Sequence, residues 1–228
     1  SMIGYCTDVE GNYEYWERYL MISKVLRRNE EKKIVLNDGC QFVFGGDVCD
    51  RGDGDIRVLD DLIQLYESYP DRVHFILGNR DVNKMRIPVE LHEKYLQQPA
   101  AVYWIPNDPE QCPQNRIERL KWILKKTMGA PVAFEGRRKE LEILGKPTTD
   151  EDVVQSFFDL LTPEGSLMKY MKYGKIAVNF GDTLFCHGGI NGSNLGWIPP
   201  KTPTAPASVN SSSFAAGDFG GQTCDNVS

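Results

Sequence analysis

The segment Gly45-Gly-Asp-Val-Cys-Asp-Arg-Gly-Asp-Gly-Asp55 carries aspartates at 47, 50, 53 and 55, with glycines between them and Arg51 in the middle. An apolar run, Cys40-Gln-Phe-Val-Phe44, leads directly into it. Aspartate, asparagine and histidine together make a ligand set for Mn, Fe or Zn. In a two-metal hydrolase one carboxylate bridges ions roughly 3.5–4 Å apart, and a bridging hydroxide attacks phosphorus. Asp47 is the natural bridge, because the two preceding glycines let the backbone turn sharply at the end of a strand. Arg51 offers a planar fork for two phosphate oxygens. Asp53 and Asp55 read as the opening of the next helix, where acids suit the dipole. Taken alone, the segment reads equally well as a solvated turn.

Three more clusters of the same character weigh against that bland reading: Asp8-Val-Glu10-Gly-Asn12, Asn79-Arg80-Asp81 and His187-Gly-Gly. Each follows a strand-like run. Residues 2–8 read as a strand. The spacing of Tyr13, Trp16, Leu20, Ile22, Val25 and Leu26 predicts a helix over 12–28, capped by Asn12. Residues 32–47 read as a hairpin around Asn37-Asp-Gly. Residues 55–69 read as a helix that Pro70 stops, 72–79 as a buried strand, and a further helix starts near Asp81. In open α/β sheets the carboxyl ends of strands converge on one crevice, so separate strands would deliver these clusters to one edge.

Residues 88–172 are helix-rich and broken by 97–114, where Tyr103 and Trp104 read as core aromatics or a substrate platform. The run Arg137-Arg-Lys-Glu140 reads as a solvated helix face. Strand-like sequence resumes as a hairpin over 175–189 that ends in His187. Residues 198–228 form a Pro/Ser/Gly-rich tail, read as irregular or disordered.

The motifs GDVCDRG (46–52), GNRD (78–81) and HGG (187–189), with DVEGN (8–12) ahead of them, resemble the calcineurin-like metallophosphoesterase superfamily. The likeness is to its phosphoprotein phosphatase branch, which includes the diadenosine tetraphosphatases, and it runs over residues 2–190. It implies an α/β fold, a β-sandwich flanked by helices, with a helical insertion at about 88–172 in a domain of residues 1–197. It further implies that Asp8 and Asp47 bind a first metal, that Asp47, Asn79 and His187 bind a second, that Arg51 holds phosphate, and that Asp50 orients residue 80.

Three positions depart from the family pattern. Glu10 stands where the family has a metal-ligand histidine; it could still coordinate, hardening the site toward Mn or Mg, or it is a helix-capping acid. Arg80 replaces the histidine that protonates the leaving group. A guanidinium keeps its charge, so Arg80 can stabilise negative charge or simply pair with Asp50. The family's last metal histidine has no counterpart: His74 and His92 read as structural. Asp218, Cys224 or Asp225 would have to substitute, the second metal would bind weakly, or the missing ligand lies beyond residue 228.

A net charge of −6 argues against a nucleic-acid partner. The absence of an 18-residue apolar run argues against a membrane one. The six cysteines are scattered and form no CxxC pair, which reads as a reducing, cytoplasmic setting. The sequence therefore predicts a metal-dependent phosphoesterase with two divalent ions, Mn first among Mn, Fe, Zn and Mg. Its substrate would be a phosphoprotein or a nucleotide polyphosphate. Catalytic roles fall to Asp50, Arg51 and Arg80, substrate binding to Arg51, Asn79 and Arg80, and metal binding to Asp8, Glu10, Asp47, Asn79 and His187. The competing expectation is a catalytically impaired binding or scaffold protein on the same fold.

Overall fold

The computed structural model describes residues 2–98 and 112–192, and the backbone of 197–198 and 222–223. Two units are formed: Ser1–Val102 with Asn107–His187, and Tyr103–Pro106 with Gly188–Ser228.

The first unit opens with β1 (Ile3–Cys6), followed by α1 (Tyr13–Ile22), two short strands β2 (Leu26–Arg28) and β3 (Ile34–Leu36), and β4 (Gln41–Phe44). Then come α2 (Asp55–Ser68), β5 (Val73–Phe75), α3 (Asn79–Val82) and a 3-10 turn over Asn83–Arg86. Six helices follow: α4 (Ile87–Glu90), α5 (Glu93–Leu96), α6 (Arg116–Thr127), α7 (Ala133–Ile143), α8 (Asp150–Leu160) and α9 (Ser166–Tyr173). The unit closes with β6 (Ala177–Phe180) and β7 (Thr183–Cys186).

β4 lies between β1 and β5 in a parallel sheet, with Tyr5 opposite Val43 and Val43 opposite His74. Alternation along β4 divides its side chains between two layers. Phe42 and Phe44 meet Trp16 of α1, with ring centroids 6.3 Å apart in both cases, and Phe44 meets Tyr170 of α9 edge-on at 6.1 Å. Val43 points the other way and packs with Ile76 and Val178. There the antiparallel β6–β7 hairpin covers the sheet through Phe180 and Phe185. The arrangement is mixed α/β, with a sheet-on-sheet layer and helices on the opposite face. Burying each of Phe42 and Phe44 contributes roughly 1.5–3 kcal/mol.

Two local expectations differ from the structure. The first helix stops at Ile22 rather than running to 28, because the Ser23 hydroxyl accepts from the backbone N–H of Val25 and Leu26. Such side-chain bonds offer the backbone an alternative to helix, and Leu26 then enters β2. Residues 32–47 do turn at Asn37-Asp-Gly, but the arms join different sheets: β3 pairs antiparallel with β2, while β4 enters the parallel sheet. Phe42, Val43 and Phe44 are all fully buried, and an isolated two-stranded hairpin cannot cover both faces of a strand. The hairpin expected at 175–189 is present, turning at Gly181-Asp182.

The Arg137–Glu140 run is not a solvated face. Arg137 and Glu140 are buried on one side of α7, while Arg138 and Lys139 point outward and pair with Glu135 and Asp53. Positions three apart share a helix face, and buried charges persist only when paired. Arg137 Nη2 lies 3.0 Å from Asp55 Oδ2, and Glu140 accepts from the N–H groups of Ile56 and Arg57 in the first turn of α2.

In the second unit, β8 (Trp197–Ile198) pairs antiparallel with β9 (Gln222–Thr223). The rest of the tail, together with Tyr103 and Trp104, lies outside the described residues. Among those described, no helix is long and apolar enough to cross a membrane.

Candidate active site

Because β1, β4 and β5 run parallel, the loops after them leave from one edge. Hydrogen bonds stitch the first two loops together: Asp8 N–H to Gly46 O (3.0 Å), Glu10 N–H to Asp47 O (3.0 Å), and the N–H groups of Arg51 and Gly52 to Glu10 O. The stitching holds four acidic residues in the left-handed region, at φ of 51° for Asp8, 50° for Glu10, 58° for Asp47 and 115° for Asp50. Non-glycine residues adopt that conformation only when their surroundings enforce it, and they concentrate at functional sites.

Asp81 ties in the third loop. Fully buried, it accepts from the N–H groups of Asp47 and Val48 at 2.9 Å and Gly78 at 2.7 Å. Burial pushes its carboxyl up to about 6, against the opposing pull of those amides. The glycines are needed for closeness: a Cβ on Gly78 would lie 2.2 Å from Asp47 Oδ1, and one on Gly46 would lie 2.9 Å from His187 Nδ1.

Asp8, Asp47 and His187 come together, each offering a ligand atom within 4.8 Å of the others. His187 Nδ1 lies 2.8 Å from Gly45 O. A carbonyl can only accept, so Nδ1 carries the proton. Nε2 then faces Asp47 Oδ1 at 3.3 Å and Asn79 Oδ1 at 3.2 Å. Carbonyl-oriented imidazole is the usual support for a metal-binding histidine. Several acceptors converging on one point form an arrangement that a cation satisfies, so the residues fit a divalent ion.

Glu10 lies outside this group. One of its carboxylate oxygens is 2.9 Å from Arg51 Nε and the other 2.8 Å from Arg80 Nε. Arg80 also reaches Asp50 Oδ2 at 3.2 Å and the carbonyls of Met128 and Gly129 at 3.3 Å, through Nη1. Burial alone would lower the Arg80 pKa, but Asp50, Glu10 and Asp47 together hold it above its ordinary value. The side chain is thus a permanent cation. His74 and His92 lie elsewhere: His74 Nε2 pairs with Gln41 Oε1, and His92 accepts from Lys94 N–H at the start of α5.

Two participants escaped the sequence reading. Lys84, buried, places Nζ 2.7 Å from Asp50 Oδ2; its signal is its place one helical turn after Arg80. The Met128-Gly129 corner after α6 holds Arg80 but leaves no mark in composition. Asp218, Cys224 and Asp225 lie outside the described residues.

The model of the calcineurin-like phosphoesterases matches residues 2–207, and the chain belongs to that family. Its members depend on divalent metals. Among solved structures, similarity is found to a cold-active protein tyrosine phosphatase of a psychrophilic Shewanella (17% identity, 83% of this chain and 44% of that one, TM-score 0.42). A protein serine/threonine phosphatase from Saccharomyces cerevisiae is similar over a shorter stretch (22% identity, 37% of this chain and 24% of that one, TM-score 0.29). The chain thus spans less than half the length of these structures. No curated protein matches it.

Proposed function

We propose that this chain is a metal-dependent phosphoesterase, hydrolysing a phosphomonoester or phosphoanhydride. The observation that carries the reading is the convergence of Asp8, Asp47 and His187 within 4.8 Å, with Arg51 and Arg80 held to the adjacent Glu10. Asp8, Asp47, Asn79 and His187 would hold divalent ions, Asp47 being shared between two; this oxygen-rich set with one imidazole suits Mn first. Bound ions supply Lewis-acid charge and a water made acidic enough to attack phosphorus.

The chain's own residues do the rest. The Arg51 guanidinium, 62% exposed, binds phosphate oxygens through its fork. Arg80, fixed by Asp50 and the Met128 and Gly129 carbonyls, offsets charge developing on the phosphoryl group and leaving oxygen. Lys84 helps hold Asp50 in place. Arg80 supplies no proton, so the reading favours substrates whose leaving group departs as a stable anion: a nucleotide polyphosphate or an aryl phosphate such as phosphotyrosine. Cys6, Cys40, Cys49 and Cys112 are free thiols, which supports a cytoplasmic setting.

Turnover of an aryl phosphate with Mn, Fe, Zn or Mg tests this. The reading expects metal-dependent hydrolysis that Asp47→Asn abolishes. No turnover with any of the four ions would favour the competing binding or scaffold reading.

A further inference from the structure

We infer that Glu10 acts as an internal anion, ion-paired to both Arg51 and Arg80 and competing for these two cations with the phosphate of the substrate. The inference rests on the phosphoesterase reading and adds a control over its phosphate site. Each Glu10 oxygen takes a different arginine, at 2.9 and 2.8 Å. A carboxylate placed between two guanidinium groups neutralises the same pair of charges that would draw in a phosphate, since arginine serves both anions.

The placement is built into the loop. The Glu10 N–H donates to Asp47 O, its carbonyl accepts from Arg51 and Gly52, and its φ is 50°. The backbone therefore cannot drift and take the carboxylate with it; only side-chain rotation frees the two arginines. The two arginines differ in freedom. Arg80 is largely buried and held by Asp50 and two carbonyls, whereas Arg51 is mostly exposed and has no other ion pair among the described residues. Exposed ion pairs are weak, so the Arg51–Glu10 contact is the one an incoming phosphate exchanges. Arg80 then stays in place as the fixed wall. A phosphate bound beside an ionised Glu10 would also meet like charge, which costs affinity.

The test is inorganic phosphate binding to the whole 228-residue chain in the presence of EDTA, followed by calorimetry. Glu10→Gln keeps the shape and removes the charge, and should tighten phosphate binding roughly tenfold or more. Glu10→Asp, too short to span both arginines, should tighten it in the same direction. The gain should vanish when Arg51→Gln is added to Glu10→Gln. Unchanged or weaker phosphate binding in folded Glu10→Gln and Glu10→Asp would overturn the inference. EDTA removes metal from the measurement, so this outcome is independent of turnover: an active enzyme with no Glu10 effect defeats the inference alone. A Glu10 effect in a protein without turnover defeats the catalytic reading alone.

Discussion

Arg80 Nη1 lies 3.2 Å from Asp50 Oδ2, so the residue after the Gly78-Asn79 corner is fixed as a cation by a buried acid. Where a histidine at that place could both orient and protonate, a guanidinium can only orient and neutralise. General acid catalysis contributes about 10²–10⁴-fold, and a substrate that needs it loses that factor here. The expected outcome is a steep dependence of kcat/KM on leaving-group pKa, with aryl phosphates or anhydrides ahead of alkyl phosphates by at least ~10²-fold. Arg80→His should narrow that gap. A preference for phosphoserine-type esters in the unmodified protein would contradict the account.

Metal should stabilise the fold through Asp8, Asp47, Asn79 and His187. At roughly 100 times its Kd, an ion bound only by the native state adds about 2.7 kcal/mol. For a chain of this size that is a Tm rise of roughly 5–10 °C. Thermal unfolding in Mn against EDTA should show this rise in the unmodified chain and not in His187→Ala or Asp47→Asn.

Lys84 and Asp50 test the buried charge cluster. Both are almost completely buried, with Nζ and Oδ2 2.7 Å apart. Removing one partner of such a pair costs about 3–5 kcal/mol; Arg80 remains beside Asp50, so the low end is expected. Urea unfolding of Lys84→Met should show a loss of about 3 kcal/mol, and a loss below about 1 kcal/mol would speak against the cluster.

Asp55 makes stability depend on pH. Burial pushes its carboxyl up to about 6, although Arg137 pulls it down. A folded-state pKa above the unfolded value of 3.8 means the contribution is fully present below about pH 4 and is lost as pH rises through about 6. Relative to Asp55→Asn, the unmodified chain should therefore lose up to roughly 3 kcal/mol between pH 4 and pH 7. Parallel denaturation curves across that range check it; a difference independent of pH would contradict it.

The sequence made the strand ends legible because they are local: an apolar run followed by Asp, Asn or His marks a polar cluster at a sheet edge. Asp8, Asp47, Asn79 and His187 are brought together as that pattern implied. What local pattern could not show is where a charge finds its partner. Glu10 shares the ligand-like setting of Asp8, but its carboxylate is turned to Arg51 and Arg80, a choice made by loops 41 and 70 residues further along. Arg137 and Glu140 sit in a charged run that reads as surface, and only the packing of α7 on the start of α2 explains their burial. Asp81 reads as a helix start; its bond from the Gly78 N–H is local, but its contacts with the Asp47 and Val48 amides exist only once two loops meet. The misplaced hairpin has the same origin: turn chemistry at Asn37-Asp-Gly is local, but the sheet each arm joins is decided by burial on both faces of β4.

The central claim, that Asp47 and its neighbours hold the working metal, is tested most directly by a crystal structure of the protein grown with Mn and measured for anomalous scattering. The account predicts anomalous density ligated by Asp8, Asp47, Asn79 and His187, with Asp47 touching every ion present. Absence of density at saturating Mn, or an ion whose ligands leave out Asp47, would contradict it.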